Sequence, residues 1–239
     1  MTTFSRRIFS FAAAAMLVFN LAACGDPEPE QRKAFIAFLQ TMISRPGVHV
    51  MNTKPDDEKT FGDYTRHYAV ILDFNKDMRV VMEEFATRMK QLGLDQTTPR
   101  TLEQMVVHRA DILAVSEGMA KSLAGMKESL ASAQAKRAAL KQPDDLKQVY
   151  DTFFNKLVTE PVRSVEKVYA TLGDAVKASL VMVDYVNSHK AQLVVSGTQV
   201  QAKDAKTLAE LNELLKVHNA AGVRFNEARR DLRKTMEGS

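Results

Sequence analysis

The stretch FGDYTRHYAVILDFNKDMRVVMEEFATRMKQL, residues 61–92, decides the fold. Its apolar and aromatic side chains recur at alternating spacings of three and four residues, a heptad pattern sustained for about thirty residues. The pattern consists of Phe61, Tyr64, Tyr68, Ile71, Asn75, Met78, Met82, Phe85, Met89 and Leu92. It predicts one long helix in coiled-coil-like contact with another, with Asn75, the single polar member, fixing the register.

Helix-period patterns extend on both sides of this stretch. A helix is predicted over 26–44 and ends before Pro46 and Gly47. After a connector through Pro55, Asp56 or Asp57 is expected to cap the helix that carries the heptad pattern. A second long helix is predicted over 102–140, with small residues that allow close helix approach: Ser116, Gly118, Ala120, Ala124 and Gly125. Its Met-rich stripe is interpreted as core, although such stripes also form adaptable binding surfaces.

The remainder of the chain continues the helical pattern with one interruption. Asp144 is expected to cap a helix, and Thr159-Glu160-Pro161 is compatible with a helix restart or with a kink in one longer helix. Residues 192–201 change to strand period about Ser196-Gly197, which predicts a β-hairpin. Asp204 is expected to cap the last helix. The predicted fold is all-α, an elongated helical bundle with one small hairpin near 192–201.

The N-terminal segment has the features of a bacterial lipoprotein signal. Arg6 and Arg7 precede an apolar run, and Leu21-Ala22-Ala23 precede Cys24, the single cysteine of the chain. The apolar run is shorter than the about 20 residues of a spanning helix, which makes a membrane-anchor helix the weaker interpretation. The arrangement resembles the lipobox of bacterial prolipoproteins. The resemblance implies diacylglyceryl transfer to the Cys24 thiol, cleavage before Cys24, and acylation of its new amine, with palmitate-type chains.

These features divide the chain into three parts. Residues 1–23 are predicted to be the signal peptide, 24–30 a lipidated tether, and 31–239 a single helical domain. Two or more acyl chains hold a protein stably on a membrane, whereas one binds reversibly. We therefore expect a protein anchored through lipid on Cys24 and facing the periplasm.

Two aspects of targeting stay open at this stage. Ser5-Arg6-Arg7-Ile8-Phe9 resembles a twin-arginine export signal, although an ordinary charged n-region for unfolded export is slightly favoured. Gly25 follows Cys24 where aspartate is the usual inner-membrane retention signal, which favours the outer membrane. Asp26 one place later keeps the inner membrane as an alternative.

Composition limits the remaining possibilities. Removal of residues 1–23 leaves 216 residues and lowers the formal charge from +4 to about +2. Acidic and basic residues alternate along the helices, and no run of like charge indicates nucleic acid or a polybasic membrane patch. With Cys24 modified, no thiol remains for a disulfide, so stability must come from apolar burial.

No catalytic, metal or cofactor pattern is visible in the sequence. The five histidines have no partner at the three- or four-residue spacing that places two ligands on one helix face: His49, His67, His108, His189 and His218. There is no glycine-rich phosphate loop and no nucleophile elbow. Adjacent acids such as Glu83-Glu84 point about 100° apart on a helix and do not form a dyad. We expect no catalytic residue, no metal and no cofactor, and hence not an enzyme.

Several segments resemble one protein family. They are residues 31–40 (QRKAFIAFLQ), 139–147 (ALKQPDDLK) and 180–185 (LVMVDY), together with the late glycine-turn hairpin. They are similar to the YiaF-like lipoproteins of proteobacteria, a family defined by a domain of unknown function. The resemblance implies an envelope location and a role only for the lipid-bearing Cys24.

Two functional hypotheses follow. In the first, a structural or interaction lipoprotein uses its amphipathic helices to bind itself or another envelope protein. In the second, a carrier or sensor holds an apolar ligand between Met- and Phe-rich helices. An envelope enzyme with a site assembled by the tertiary fold is a distant third.

Overall fold

The computed structural model describes residues 26–52, 54–91, 101–196 and 199–238, and these ranges are almost entirely helical. The predicted all-α fold with a small hairpin is confirmed. In chain order the elements are α1 (Glu28–Ser44), α2 (Pro55–Phe61), a 3₁₀ turn (Gly62–Tyr64), α3 (Thr65–Gln91), α4 (Leu102–Val107), α5 (Arg109–Ala138), α6 (Asp144–Phe154), a π turn (Asn155–Thr159), α7 (Glu160–Ser188), β1 (Leu193–Ser196), β2 (Gln199–Ala202) and α8 (Ala205–Glu237).

The centre of the molecule is a continuous helical run from Asp144 to Ser188, which we call the spine. It joins α6 and α7 through the π turn, which directly precedes Glu160-Pro161. Proline lacks the N–H of a regular helical hydrogen bond, and a wider turn accommodates this without ending the helix. The structure therefore selects one longer helix over a restart. At 1.5 Å per residue the spine is about 67 Å long.

Two long helices run beside the spine both before and after the π turn. In α3, Tyr68 stacks on Phe153 at 5.9 Å between ring centroids, and Phe85 lies 5.9 Å from Tyr169. The interval between the two contacts is almost equal in α3 and in the spine, so the helices stay side by side through the π turn.

Helix α5 follows the spine in the opposite direction. Arg137 pairs with Asp151 at 2.7 Å near one end, and Arg109 pairs with Asp184 at 2.7 Å near the other. The helix thus reaches along most of the spine and crosses the π turn. Its path is a second indication that the spine does not bend sharply.

Helices α1 and α8 flank different halves of the spine. Arg32 of α1 lies 3.6 Å from Asp145, and Lys156 donates a 2.6 Å hydrogen bond to the Ile43 carbonyl, so α1 runs parallel to α6. Helix α8 returns along α7, since the Tyr185 hydroxyl donates to Glu210 at 2.8 Å near one end of the pair. We call the two ends of the molecule the α1 end (residues 26–32 and 144–145) and the hairpin end (residues 188–205).

The C-terminal ends of α1 and α8 meet beside the middle of the spine. The Val48 N–H donates to the Met236 carbonyl at 3.0 Å. Gly47 has φ +71°, and a Cβ on it would lie 2.4 Å from that carbonyl oxygen. Glycine is therefore required at position 47 both by backbone conformation and by space.

The core is different in the two halves. The half nearer the α1 end is filled with rings from α1, α2, α3 and α6: Phe35, Phe38, Phe61, Tyr64, Tyr68, Tyr150, Phe153 and Phe154. A smaller aliphatic cluster supports the hairpin end: Leu102, Met182, Val186, Leu193 and Leu211. The aromatic side chains of the core are thus concentrated next to α1.

Several predicted boundaries are corrected. The heptad pattern does not lie on one helix, because Gly62 adopts φ +53° and separates α2 from α3. The helix predicted over 102–140 is divided at His108. Pro55 is the first residue of α2, so Asp56 and Asp57 lie inside the helix and do not precede it.

Other corrections concern side chains. The Asn75 amide donates to the Ile71 carbonyl of its own helix at 3.1 Å, which does not fix the register of a neighbouring helix. Met82, a member of the predicted heptad pattern, is 42% exposed. Asp144 lies in the first turn of α6 after an N-cap at Pro143, where its charge suits the helix dipole.

The hairpin and the last cap are observed with a small shift. Ser196 pairs with Gln199, which places the connection at residues 197–198, one residue later than predicted and outside the described residues. Asp204 caps α8 as predicted, since its Oδ1 accepts from the Thr207 N–H at 2.8 Å.

Candidate functional site

The predicted lipidation residue, Cys24, and the signal segment lie outside the described residues, which begin at Asp26. Helix α1 begins at Glu28, inside the 24–30 range predicted for the tether. Three residues lie between Cys24 and Glu28, and the four Cα–Cα steps of an extended chain span about 14 Å. A lipid on Cys24 would therefore hold the α1 end close to a membrane surface.

The first turn of α1 is bound to the rest of the body by polar contacts. The Tyr64 hydroxyl donates to the Glu28 carboxylate, and burial together with this contact raises the pKa of Tyr64 to about 12. Arg32 contacts both Glu28 and Asp145 at 3.6 Å. These contacts join α1 to the start of α3 and of α6. Glu28, the first residue of α1, is therefore held against the folded body.

His67 lies behind these contacts and is buried among rings. Its ring packs edge-on against Tyr64 at 5.2 Å and against Tyr150 at 6.2 Å between centroids. The Gln142 amide nitrogen lies 3.1 Å from His67 Nδ1 and donates to it. Burial disfavours the charged imidazolium and lowers the pKa of His67. This environment is that of a neutral core histidine.

The other histidines are dispersed over the surface. His108 contacts Asp111 at 2.8 Å, and the His189 ring stacks on Tyr185 at 4.1 Å. His49 is exposed, and His218 is half-buried on the apolar side of α8. Among the described residues no three metal-ligating side chains come together.

The adjacent acids also form no reactive pair. Glu83 lies 3.9 Å from Arg79, and Glu84 lies 3.9 Å from Lys121 of α5. Both are exposed surface ion pairs that diverge around the helix. Every buried side-chain nitrogen or oxygen in the described ranges has a hydrogen-bond partner, so none of them is left unpaired for a substrate.

Several open grooves lie between the helices of the described body. A cleft of about 460 Å³ lies between α3 and α5, with Val80, Val81 and Phe85 on one wall and Gly118 and Gly125 on the other. The small residues allow α3 and α5 to approach, since a Cβ on Gly125 would lie 3.2 Å from Val81. The expected role of Gly118 and Gly125 in close packing is confirmed, whereas Ser116, Ala120 and Ala124 are exposed.

Two further grooves run between α7 and α8. One, of about 300 Å³, is lined by aliphatic side chains that include Val181, Leu214 and Val217. The other, of about 470 Å³, is lined by charged side chains. No run of like charge in the sequence indicates this charged groove, because its residues alternate in sign along α8 and converge only with Lys167 of α7. Their three- and four-residue spacing was the available signal.

The exposed aliphatic residues of the hairpin end lie on different elements. Val107 at the end of α4 is 74% exposed, Val194 on β1 is 56% exposed, and Leu208 is in the first turns of α8. Scattered apolar residues are ordinary on protein surfaces, but these three belong to segments that pack around one small cluster.

The described residues form a helical rod whose α1 end is held by polar contacts, and no cluster of metal-ligating side chains occurs among them. Residues 12–233 match the family described as Protein of unknown function (DUF3053), and the chain belongs to that family. It is 28% identical over 223 residues to the "Uncharacterized protein YiaF" of Escherichia coli strain K12, with 93% of each chain covered. The "Uncharacterized protein YiaF" of E. coli O157:H7 and that of Shigella flexneri are similar to the same extent.

No solved structure is significantly similar to the chain. None of the helices in the described ranges is both long and apolar enough to span a bilayer. The predicted membership in a YiaF-like family is confirmed, and the relatives are uncharacterized, so they transfer no activity.

Proposed function

We propose that the chain is an envelope lipoprotein, anchored through Cys24, whose helical rod binds other proteins and does not catalyse a reaction. The observation that carries the proposal is the position of the α1 end. Helix α1 begins at Glu28, four positions after Cys24, and Tyr64 and Asp145 bind Glu28 and Arg32 of its first two turns. Anchoring at this point places the hairpin end about 67 Å away along the spine.

The lipid anchor rests on the sequence features of residues 1–24. A basic pair, an apolar run and Leu-Ala-Ala before a single cysteine agree in order and spacing. The proposed location is the periplasmic face of the cell envelope, with the outer membrane favoured by Gly25 over the inner membrane.

The protein-binding role rests on the shape and surface of the rod. A straight body formed by α3, α5 and the spine extends away from the anchor, and aliphatic side chains are exposed at its far end. The partner is another envelope protein or a second copy of this chain.

In-cell photo-crosslinking tests the role directly. A photoreactive amino acid at Val107 or Val194 is expected to capture discrete bands, identified by mass spectrometry. The same amino acid at Gln148, an exposed position of α6 near the α1 end, serves as the matched control. Equal capture from all three positions, or none from any, would contradict a specific interaction at the hairpin end.

The aliphatic groove between α7 and α8 favours a second candidate, a carrier of an apolar ligand. The interior near the α1 end is filled by rings, so such a ligand would bind at the surface beside Val181 and Val217. Lipid extraction from the purified protein, followed by mass spectrometry, tests this role. A stoichiometric hydrophobe that is lost in Val217→Asp but retained in Val223→Asp would support it, and a protein free of hydrophobes would exclude it.

A further inference from the structure

The charged groove between α7 and the C-terminal half of α8 is the feature that the proposed function does not use. Four cations line it, Lys167, Arg224, Arg230 and Lys234, and two carboxylates, Glu227 and Asp231. The helix positions 224, 227, 231 and 234 follow three- and four-residue spacing and therefore share one face of α8. We call this feature the basic groove.

The two carboxylates are already engaged within the groove. Asp231 contacts Lys167 at 2.6 Å, and this contact lowers the pKa of Asp231. Glu227 lies 4.0 Å from Arg230. Arg224 and Lys234 have no carboxylate at ion-pair distance among the described residues. Two unpaired cations about 15 Å apart thus point from one exposed helix face.

The neighbouring charges are close to balanced, since Arg233 and Glu237 lie within one turn of Lys234. Asp174 and Lys177 line the adjoining aliphatic groove beside Arg224, and their charges offset each other. The α1 end of the molecule is acidic, because Asp26 precedes α1 and Glu28 and Glu30 lie in its first turn. The rod is therefore electrostatically polarised, with the acidic residues next to the anchor and the positive excess beside the middle of the spine.

We propose that the basic groove binds the phosphate groups of anionic lipids in the membrane to which the chain is anchored, so that the rod lies along the bilayer. This inference rests on the proposed lipid anchor. Helix α1 is about 25 Å long and meets the end of α8, so the basic groove begins about 25 Å from the α1 end. With the α1 end held within about 14 Å of the surface, the bilayer is the phosphate-rich surface at high effective concentration.

Basic side chains near an anionic leaflet are attracted over about one Debye length. The acidic first turn of α1 is not attracted, which places the contact on α8 and not at the anchor. An upright rod and a rod that contacts the membrane through α8 therefore differ in one measurable quantity, the distance between α8 and the headgroups.

The experiment uses the mature lipoprotein purified from membranes and reconstituted into vesicles. Cys24 carries the lipid, so a cysteine introduced at Val223, which is exposed on the face of the basic groove, takes a fluorophore selectively. A second label site at Gln201 reports on the hairpin end. Energy transfer to an acceptor on the lipid headgroups is compared between neutral phosphatidylcholine vesicles and vesicles with about 30% phosphatidylglycerol.

The expected result is strong transfer from position 223 in anionic vesicles and weak transfer in neutral ones, with reversal at about 0.5 M salt. Arg224→Glu/Lys234→Glu should reduce the membrane-contacting population at least about tenfold. Lys206→Glu/Lys216→Glu makes the same charge change on the N-terminal half of α8, where both lysines already face glutamates, and should leave the transfer unchanged.

Equal transfer in neutral and anionic vesicles, or equal loss in both double variants, would overturn the proposal. A protein that binds soluble polyanions but shows no lipid-dependent transfer would also overturn it. Flotation with neutral vesicles reports the lipid anchor alone. Failure to float would therefore reject the proposed function, whereas flotation without approach of Val223 would reject only the role of the basic groove.

Discussion

At the scale of single residues, His67 makes the stability of the fold depend on pH. Its burial between Tyr64 and Tyr150 lowers its pKa in the folded state, whereas in the unfolded chain the pKa is near 6.5. The unfolded chain therefore binds a proton at a higher pH than the folded chain. The stabilising contribution is complete above about pH 6.5 and is lost as the pH falls toward the lower, folded-state value.

We therefore expect the free energy of unfolding to decrease between about pH 7.5 and about pH 5. His67→Gln should flatten this dependence, and His108→Gln, at an exposed position, should retain it. Urea denaturation at a series of pH values measures both. Parallel pH profiles for the wild type and His67→Gln would show that another group controls the dependence.

Lys156 is a second residue with a specific structural role. Its ammonium group donates to the Ile43 and Arg45 carbonyls, which are left without helical partners at the end of α1. Lys156→Met should destabilise the protein by about 1.5–3 kcal/mol, because charge-assisted hydrogen bonds to a part-buried helix end are lost.

Lys147→Met is the matched control for this substitution. Lys147 forms an exposed 2.5 Å ion pair with Asp151 on the same helical run. Exposed pairs of this kind contribute about 0.5 kcal/mol or less, so the control should change the urea midpoint little. Equal effects of the two substitutions would mean that Lys156 does not secure α1.

At the scale of elements, alanine substitutions at two glycines should change the free energy of unfolding in opposite directions. Gly47→Ala introduces a side chain at φ +71° and 2.4 Å from the Met236 carbonyl, so it should destabilise by more than about 1 kcal/mol and detach the last turn of α8. Gly173→Ala lies in α7 with no atom within 4 Å of the added Cβ, and it should stabilise by about 0.5–1 kcal/mol. Urea denaturation, with amide hydrogen exchange at residues 234–238, tests both, and loss of stability in both would contradict this difference.

The helices were predictable from the sequence wherever the apolar spacing of three and four residues continues over many residues. The three- and four-residue spacing correctly indicated α1, α3, α5, α7 and α8, and the change of period indicated the hairpin. The breaks at Gly62 and His108 were not predictable, since the apolar spacing continues through both while the backbone conformation changes. Pro161 alone was compatible with a helix restart or with a kink in one longer helix. The π turn continues the helix through this position.

Side-chain environments were less predictable than elements. Asn75 lies on the predicted stripe, yet its amide donates within its own helix, to the Ile71 carbonyl. The ring contacts around His67 join residues from α1, α3 and α6 that are distant in sequence. Such clusters depend on the tertiary arrangement, and no spacing in one segment encodes them.

At the scale of the whole molecule, the straight spine predicts an extended particle. The body should have a maximum dimension of about 70 Å in small-angle X-ray scattering. A compact globule of 216 residues has a radius of gyration of about 17 Å, and the rod should clearly exceed it. A radius of gyration of about 17 Å would show that the molecule is not an extended rod in solution.

Intact mass spectrometry of the mature protein from its native membrane tests whether Cys24 joins this rod to a membrane. We expect a chain that begins at Cys24 and carries a covalent diacylglyceryl group with a further acyl chain, and a Cys24→Ala variant that retains residues 1–23 and gains no lipid. A wild-type chain with an unmodified Cys24, or one that keeps residues 1–23 in the membrane, would contradict it.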